Sequence, residues 1–325
     1  MLAAYVAGQD ADHPLEGLVV GEIADPGPPE PGWVPVRVRA AALNHHDLWS
    51  LRGVGLPADR LPMVLGCDAA GVDDQGRDVV VHAVVASPGW RGDETLDPAR
   101  TLLSEKYPGT LAQTVWVPPG NVVPKPPELS WAEAACLPTA YLTAYRLLFH
   151  AADLRPGQRV LVQGAGGGVS TAAVVLGRAA GLEVWVCGRD EGRNQRALEL
   201  GAHAVFPSGA RLPAQVDAVL ETVGEATWAH SLRAVRPGGT IAVAGATSGA
   251  MPPADLGRVF FRSVQVAGST MGTVEELSRL TAFLVASGAR PLVDDVLPFA
   301  DAALAFRRLA DGDVFGKLVL ELPEA

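Results

Sequence analysis

Cysteine is nearly absent: Cys67, Cys136 and Cys187 are all that 325 residues contain. An odd and widely spaced set gives no disulfide framework and no CxxC zinc pattern. Positive charge is also short. There are 26 Lys and Arg against 36 Asp and Glu, a net charge of −10, so no basic field exists to attract nucleic acid or anionic lipid. Lysine is limited to Lys106, Lys125 and Lys317. Long apolar runs are missing too. No uncharged stretch is longer than Val160 to Gly177, which contains five glycines with Gln163, Ser170 and Thr171, and this argues against a membrane span. The opening MLAAYVAGQDADHPLEG has neither a cationic segment nor a sustained apolar one. No signal peptide is expected, and the chain is expected to be soluble and cytoplasmic.

What is present is a folded chain. Hydrophobic residues make up 48% and charged residues 19%, outside the disordered range, and the length suits about two domains. The first third reads as short strands and loops. Val34-Pro-Val-Arg-Val-Arg alternates at period two, and Asp78–Ala86 and Thr114–Val117 are further strands. Ser87–Tyr107 is polar and aperiodic, a loop or lid. Ser130 and Glu133 form a capping-box signature that opens a helix. Beyond it, strands at Arg159–Gln163, Glu183–Cys187, Asp217–Val223, Thr240–Ala244 and Ser263–Ala267 alternate with helices at about 168–180, 190–200, 225–235 and 273–287. That alternation predicts βαβ units and a parallel sheet covered on both faces.

The most informative segment is the turn between the first of those strands and its helix. Gly164, Gly166, Gly167, Gly168 and Val169 follow Val160-Leu-Val-Gln163 directly. Glycines allow a tight turn and bring backbone amides close to a pyrophosphate at a helix N-terminus. Ser170 replaces the last glycine of GxGxxG, but the strand–turn–helix setting carries the dinucleotide reading. An NAD site usually places Asp or Glu about 20 residues on. Counting from Gly168 reaches Gly188, followed by Arg189. A guanidinium beside an open glycine suits the 2′-phosphate of NADPH, with Arg193 one turn further on. The other reading leaves Arg189 in solvent and gives NADH to Asp190. Gly245, Ala246 and Thr247 end one predicted strand, and Ser269, Thr270 and Met271 follow the next. Ligands bind beyond the carboxyl ends of such strands, so these segments are expected to wall the nicotinamide.

In order, Ala41–Trp49, Leu65–Gly71, Gly109–Pro118, Thr139–Tyr145, the Gly164–Val169 turn and Phe315-Gly-Lys317 resemble the medium-chain dehydrogenase/reductase superfamily over essentially the whole chain. The resemblance points to its zinc-type alcohol dehydrogenase-like and quinone oxidoreductase-like members. It implies an α/β fold in which a Rossmann doubly wound parallel sheet (residues 126–290) is joined to a GroES-like β-barrel catalytic domain (1–125 and 291–325). It also implies a cleft between them and a homodimer formed through Rossmann strands, with Ser263–Ala267 as the candidate edge. Thr139, Thr143 and Lys317 are implied to lie near the nicotinamide.

The departures from the family bear on chemistry. Its three catalytic zinc positions fall on Asn44, Cys67 and Thr139, and no cysteine stands in 87–107, where its structural zinc would sit. An amide, one thiol and a hydroxyl do not make a tetrahedral zinc site, so no metal is expected, although Asp47 and Asp68 persist as possible ligands. Asn44 and Thr139 are the candidate donors to an oxyanion. His45, His46, Cys67 and Asp68 are expected to be structural, and Tyr141, Trp49 and Phe260 to be core. The reading is a zinc-independent, NADPH-dependent reductase of a quinone, enone or other activated carbonyl compound. A zinc-dependent alcohol dehydrogenase and a non-catalytic NADPH-binding protein are the alternatives.

Overall fold

The computed structural model describes residues 1–323 and forms two compact units, 1–140 with 273 onward, and 141–272. The helices Trp131–Ala135 and Val274–Ser287 pack with the first unit, whereas the sequence expectation set the boundaries at 125/126 and 290/291. The last two residues of the expected 291–325 segment lie outside the described ones.

The second unit is built on six parallel strands: β1 (Arg159–Gln163), β2 (Glu183–Gly188), β3 (Ala204–Pro207), β4 (Val216–Glu221), β5 (Val235–Val243) and β6 (Gln265–Gly268). Their order is β3-β2-β1-β4-β5-β6, the dinucleotide-binding arrangement with its reversal between β1 and β4. The helices α1 (Gly168–Ala179), α2 (Glu191–Leu200) and α3 (Glu225–Ala234) follow β1, β2 and β4. Leu161, Trp185, Val219, Leu232 and Ile241 share one buried cluster, which is why the central strands read as continuous apolar runs. The edge strand β6 is largely exposed and begins two residues later than expected, after Ser263 at φ +51°. Phe260 is 64% exposed. The expectation that it is core fails because the short helix Leu256–Phe261 buries none of its residues.

In the first unit, Val34–Ala42 is the central strand of a seven-stranded sheet. Its first half pairs with Thr114–Val117, its second half with Lys317–Glu321, and its other edge with Asp68–Asp73. Val36, Val38, Leu65, Leu111, Phe299 and Phe306 belong to the core this sheet covers. Register positions the chemistry. Ala42 pairs with Asp68 on one side and with Val319 on the other, so residues just after Ala42 meet Asp68 and the start of the 317–321 strand at one end of the ladder.

Two segments differ from the sequence reading. The strand expected at 78–86 breaks at His82, because the Asn121 amide donates to the carbonyls of His82 and Val84. Ser87–Tyr107 contains a short 3-10 turn at Glu94–Leu96 and a strand, Thr101–Leu102, paired with Val84–Val85. Carboxylates stitch it together. Asp97 accepts from the Ser87 amide and hydroxyl at 2.6 and 2.7 Å, and Glu94 accepts from the Val274 amide at 2.5 Å.

Candidate active site

Asn44 ends the run out of Val34–Ala42 and is the N-cap of the helix His45–Leu51. Asp47, three residues on, accepts from the Asn44 amide at 2.8 Å and from the Gly66 amide at 3.0 Å. One buried carboxylate thus fixes the helix start against the Gly66-Cys67-Asp68 segment. At Gly66 (φ +98°) an added Cβ would stand 2.8 Å from the Leu111 nitrogen, so only glycine allows this close approach.

The side chain of Asn44 is held at both ends. Its Oδ1 accepts from Lys317 Nζ at 2.5 Å, and its Nδ2 donates to Asp68 Oδ2 at 2.9 Å and to the Ala42 carbonyl at 3.4 Å. Lys317, expected beside the cofactor, is 3% exposed and also donates to the Leu43 carbonyl at 2.7 Å and to Asp68 Oδ2 at 3.0 Å. Asp68 is fully buried, and its Oδ1 has no partner.

Beside this hub, Cys67 donates to the Leu103 carbonyl at 3.2 Å and lies 3.4 Å from His46 Nδ1. His46 Nε2 lies 3.1 Å from Glu105. Burial pushes the Cys67 thiol up, with His46 working against it. Burial opposes charge on His46, but Cys67 and the Glu105 carboxylate hold its imidazole above the usual value. The two histidines therefore separate as expected: His46 is tied inward and its neighbour His45 is exposed.

Thr139 sits in the widened π-turn Leu137–Tyr141, a local geometry common at functional sites. Its Oγ1 is buried and has no partner. Tyr141 is fully buried, as expected of core.

These donors do not fit the zinc that the family resemblance implies. Asn44 offers an amide oxygen already on an ammonium, Cys67 a buried sulfur already on a carbonyl, and Thr139 a hydroxyl. Tetrahedral zinc wants thiolate, imidazole or carboxylate. Among the described residues no cluster of three or more His, Cys, Asp or Glu is arranged to hold a metal ion.

The second unit does fit a dinucleotide. Gly164 takes φ +92°, donates its amide to the Cys187 carbonyl at 2.7 Å and turns the chain out of β1. Gly167 is the N-cap of α1, no side chain caps that helix, and a Cβ at Gly167 would meet open space. The first amides of α1, from Gly168, Val169 and Ser170, thus have no side-chain competitor for an anion. Gly166 and Ser170 are buried beneath the turn.

At the end of β2, a Cβ on Gly188 would run into Asn194 Oδ1 and stand 2.8 Å from Ala165 Cβ. The glycine is a steric necessity, which the sequence did not reveal. Arg189 is exposed and makes no hydrogen bond or ion pair among the described residues. Asp190 is the N-cap of α2 and accepts from the Arg193 amide at 2.7 Å. Gly245, Ala246 and Thr247 follow β5, and the Thr247 and Ser248 amides donate to the Thr222 and Val223 carbonyls. After β6, Ser269 has a buried hydroxyl without a partner, Thr270 is exposed, and Met271 is 8% exposed at φ +51°. Thr143 is buried in the helix Leu142–Arg146.

Two family models match: the alcohol dehydrogenase GroES-like domain over residues 30–127 and the zinc-binding dehydrogenase domain over 168–286. The chain is 30% identical to the zinc-type alcohol dehydrogenase-like protein C1773.06c of Schizosaccharomyces pombe, over 90% of this chain and 91% of that one. A solved NAD-dependent alcohol dehydrogenase superimposes with a TM-score of 0.91 at 33% identity, covering 99% of this chain and all of the other. The 2-octenoyl-CoA carboxylase reductase CinF, solved with NADP and 2-octenoyl-CoA, superimposes at 0.90 with 25% identity, covering 99% of this chain and 88% of CinF. The chain is an oxidoreductase of the medium-chain dehydrogenase/reductase superfamily, with a GroES-like domain and a Rossmann domain.

Proposed function

We propose that this oxidoreductase is a zinc-independent, NADPH-dependent reductase of quinones, enones or other activated carbonyl compounds. The observation that carries the reading is the donor set at Asn44, Cys67 and Thr139, where an amide locked to Lys317, a buried thiol and a hydroxyl replace metal ligands. Without a Lewis acid to polarise a carbonyl, the acceptor must already be electrophilic.

When bound, a reduced nicotinamide supplies the hydride. The chain's own part is to hold the acceptor oxygen as it gains charge. Thr139 Oγ1, buried and unpartnered, is the donor for that oxygen. Asn44 Nδ2 is the second candidate, through the proton that makes only the 3.4 Å contact to Ala42. Hydride goes to the electrophilic carbon, and the balancing proton comes from solvent or a nearby hydroxyl.

For the cofactor, the amides after Gly164, Gly166, Gly167 and Gly168, with Val169, would hold the pyrophosphate. Gly188, Arg189 and Arg193 would receive the 2′-phosphate. Gly245–Thr247 and Ser269–Met271 would flank the nicotinamide, with Thr143 in support. NADPH is favoured over NADH because Arg189 has no other partner, while the Asp190 carboxylate already caps α2. The NADP and enoyl thioester in CinF agree with this reading. The rival is an NAD-dependent alcohol dehydrogenase like the structural neighbour at 33% identity. Rates with NADPH and NADH over a panel of quinones, enones and simple aldehydes, and with both oxidised cofactors over alcohols, separate the two. Turnover confined to alcohols and NAD would overturn the proposal.

A further inference from the structure

Lys317 brings a full charge to a place with no solvent to screen it. Its side chain is 3% exposed and its ion-pair partner Asp68 is fully buried. A buried charge persists only when it is paired and hydrogen-bonded. Three oxygens converge on the ammonium: the Leu43 carbonyl at 2.7 Å, Asn44 Oδ1 at 2.5 Å and Asp68 Oδ2 at 3.0 Å. An ammonium has three protons and accepts nothing, so the cage is complete. Its three accepting oxygens, from a carbonyl, an amide and a carboxylate, are the hard oxygen set that holds cations. The approach of the lysine is also built. Gly316, at φ +113° with the Leu292 carbonyl 2.8 Å from where a Cβ would be, turns the chain so that residue 317 starts its strand facing this end of the ladder.

We propose that the Lys317 ammonium is a tethered cation that takes the electrostatic place of a metal ion. Acting as a positioning residue, it neutralises Asp68, orients the Asn44 amide by its oxygen, and leaves these oxygens unavailable to a divalent ion. The inference rests on the zinc-independent reading and gives it a physical cause. If the ammonium is removed, three converged oxygens and one uncompensated negative charge remain. That cage should accept an exogenous cation.

Lys317→Ala deletes a group with the outline of propylamine. The wild type, Lys317→Ala and Lys317→Ala/Asp68→Asn are melted at matched ionic strength in propylammonium, tetramethylammonium or manganese chloride. Propylammonium should raise the melting temperature of Lys317→Ala by roughly 3 °C or more relative to tetramethylammonium, which has no proton to donate. Manganese should also stabilise it. Neither should shift the wild type or the double variant by more than about 1 °C, since one has its cation and the other has no charge to pair. Reductase activity of Lys317→Ala should recover at least about tenfold in propylammonium, matching the ~1.4 kcal/mol per decade of a restored contact. If Lys317→Ala does not fold, its refolding yield with and without propylammonium carries the same test. A zinc-free wild type whose Lys317→Ala variant ignores both cations would overturn the tethered-cation inference alone. Stoichiometric zinc in the wild type would overturn the zinc-independent reading whatever the melts show.

Discussion

Arg189 and Gly188 divide the cofactor decision between them. Gly188 is fixed by packing, since any Cβ meets Asn194 and Ala165. An aspartate there would disturb the turn as well as repel a phosphate, so it is a poor test of preference. Arg189 is exposed and unengaged, and its removal disturbs nothing else. A hydrogen bond to a charged group contributes roughly 1.5–3 kcal/mol. Titration of Arg189→Ala should therefore show NADPH binding weakened about ten- to a hundredfold, with NADH hardly changed. An equal loss for both cofactors would assign the arginine to the shared adenosine half or to the fold. Thr139 carries the second residue-scale expectation. Losing one oxyanion donor costs about 10²–10³ in kcat in well-studied cases. Thr139→Val, which keeps the volume, should lower kcat by at least about tenfold and leave NADPH binding intact. Unchanged turnover would remove Thr139 from the chemistry.

At the scale of elements, much was legible. The helices expected near 168–180, 190–200, 225–235 and 273–287 are Gly168–Ala179, Glu191–Leu200, Glu225–Ala234 and Val274–Ser287. Local chemistry announces them: Asp190 and Thr273 accept from amides in the first turns of their helices. The hub of Asn44, Asp68 and Lys317 was not legible. It depends on strand register between residues 249 apart, and periodicity carries no register over such distances. The same applies to the contact of His46 with Cys67 and Glu105, and to a buried network that joins β1, β4 and α3. In that network Gln163 Nε2 lies 3.0 Å from both His230 Nδ1 and Ser231 Oγ. Glu221 accepts from the amides of Val223 and Gly224 and from the hydroxyls of Thr227 and Ser231. His230 Nε2 donates to the Ala210 carbonyl at 2.9 Å, so Nδ1 must be the unprotonated acceptor. Burial pushes His230 below its ordinary 6.5. The unfolded chain then binds the extra proton first, so this stability is full above about pH 6.5 and is lost as pH falls through the lowered folded value. Denaturant titrations of His230→Gln against wild type between about pH 7 and 5 should show a shallower loss of stability on acidification in the variant. Parallel curves would contradict the neutral, hydrogen-bonded histidine.

For the whole molecule, one surface stands out. The edge strand β6 presents Val266 at 50% exposure, and Phe260 and Phe261 at 64% and 81% lie on the helix before it. An unpaired edge flanked by large apolar side chains invites pairing, and a second copy of the chain is the partner we propose for it. Sedimentation equilibrium should show a dimer for the wild type and a monomer for Val266→Asp/Phe261→Asp. A monomeric wild type would contradict the proposal. Among the described residues no helix is long and apolar enough to cross a membrane.

On the proposed reading, hydride transfer here proceeds without zinc, from an ordered set of side chains in which Lys317 supplies a cation at the Asn44–Asp68 hub. The most direct measurement is NADPH oxidation by one protein preparation, assayed with a quinone and an enone before and after exhaustive dialysis against a strong chelator, with zinc quantified in each sample. A zinc-independent enzyme holds far less than one zinc per chain throughout and turns over equally in both samples. Close to one zinc per chain before dialysis, with activity that vanishes with the metal and returns on its addition, would contradict the proposed reading.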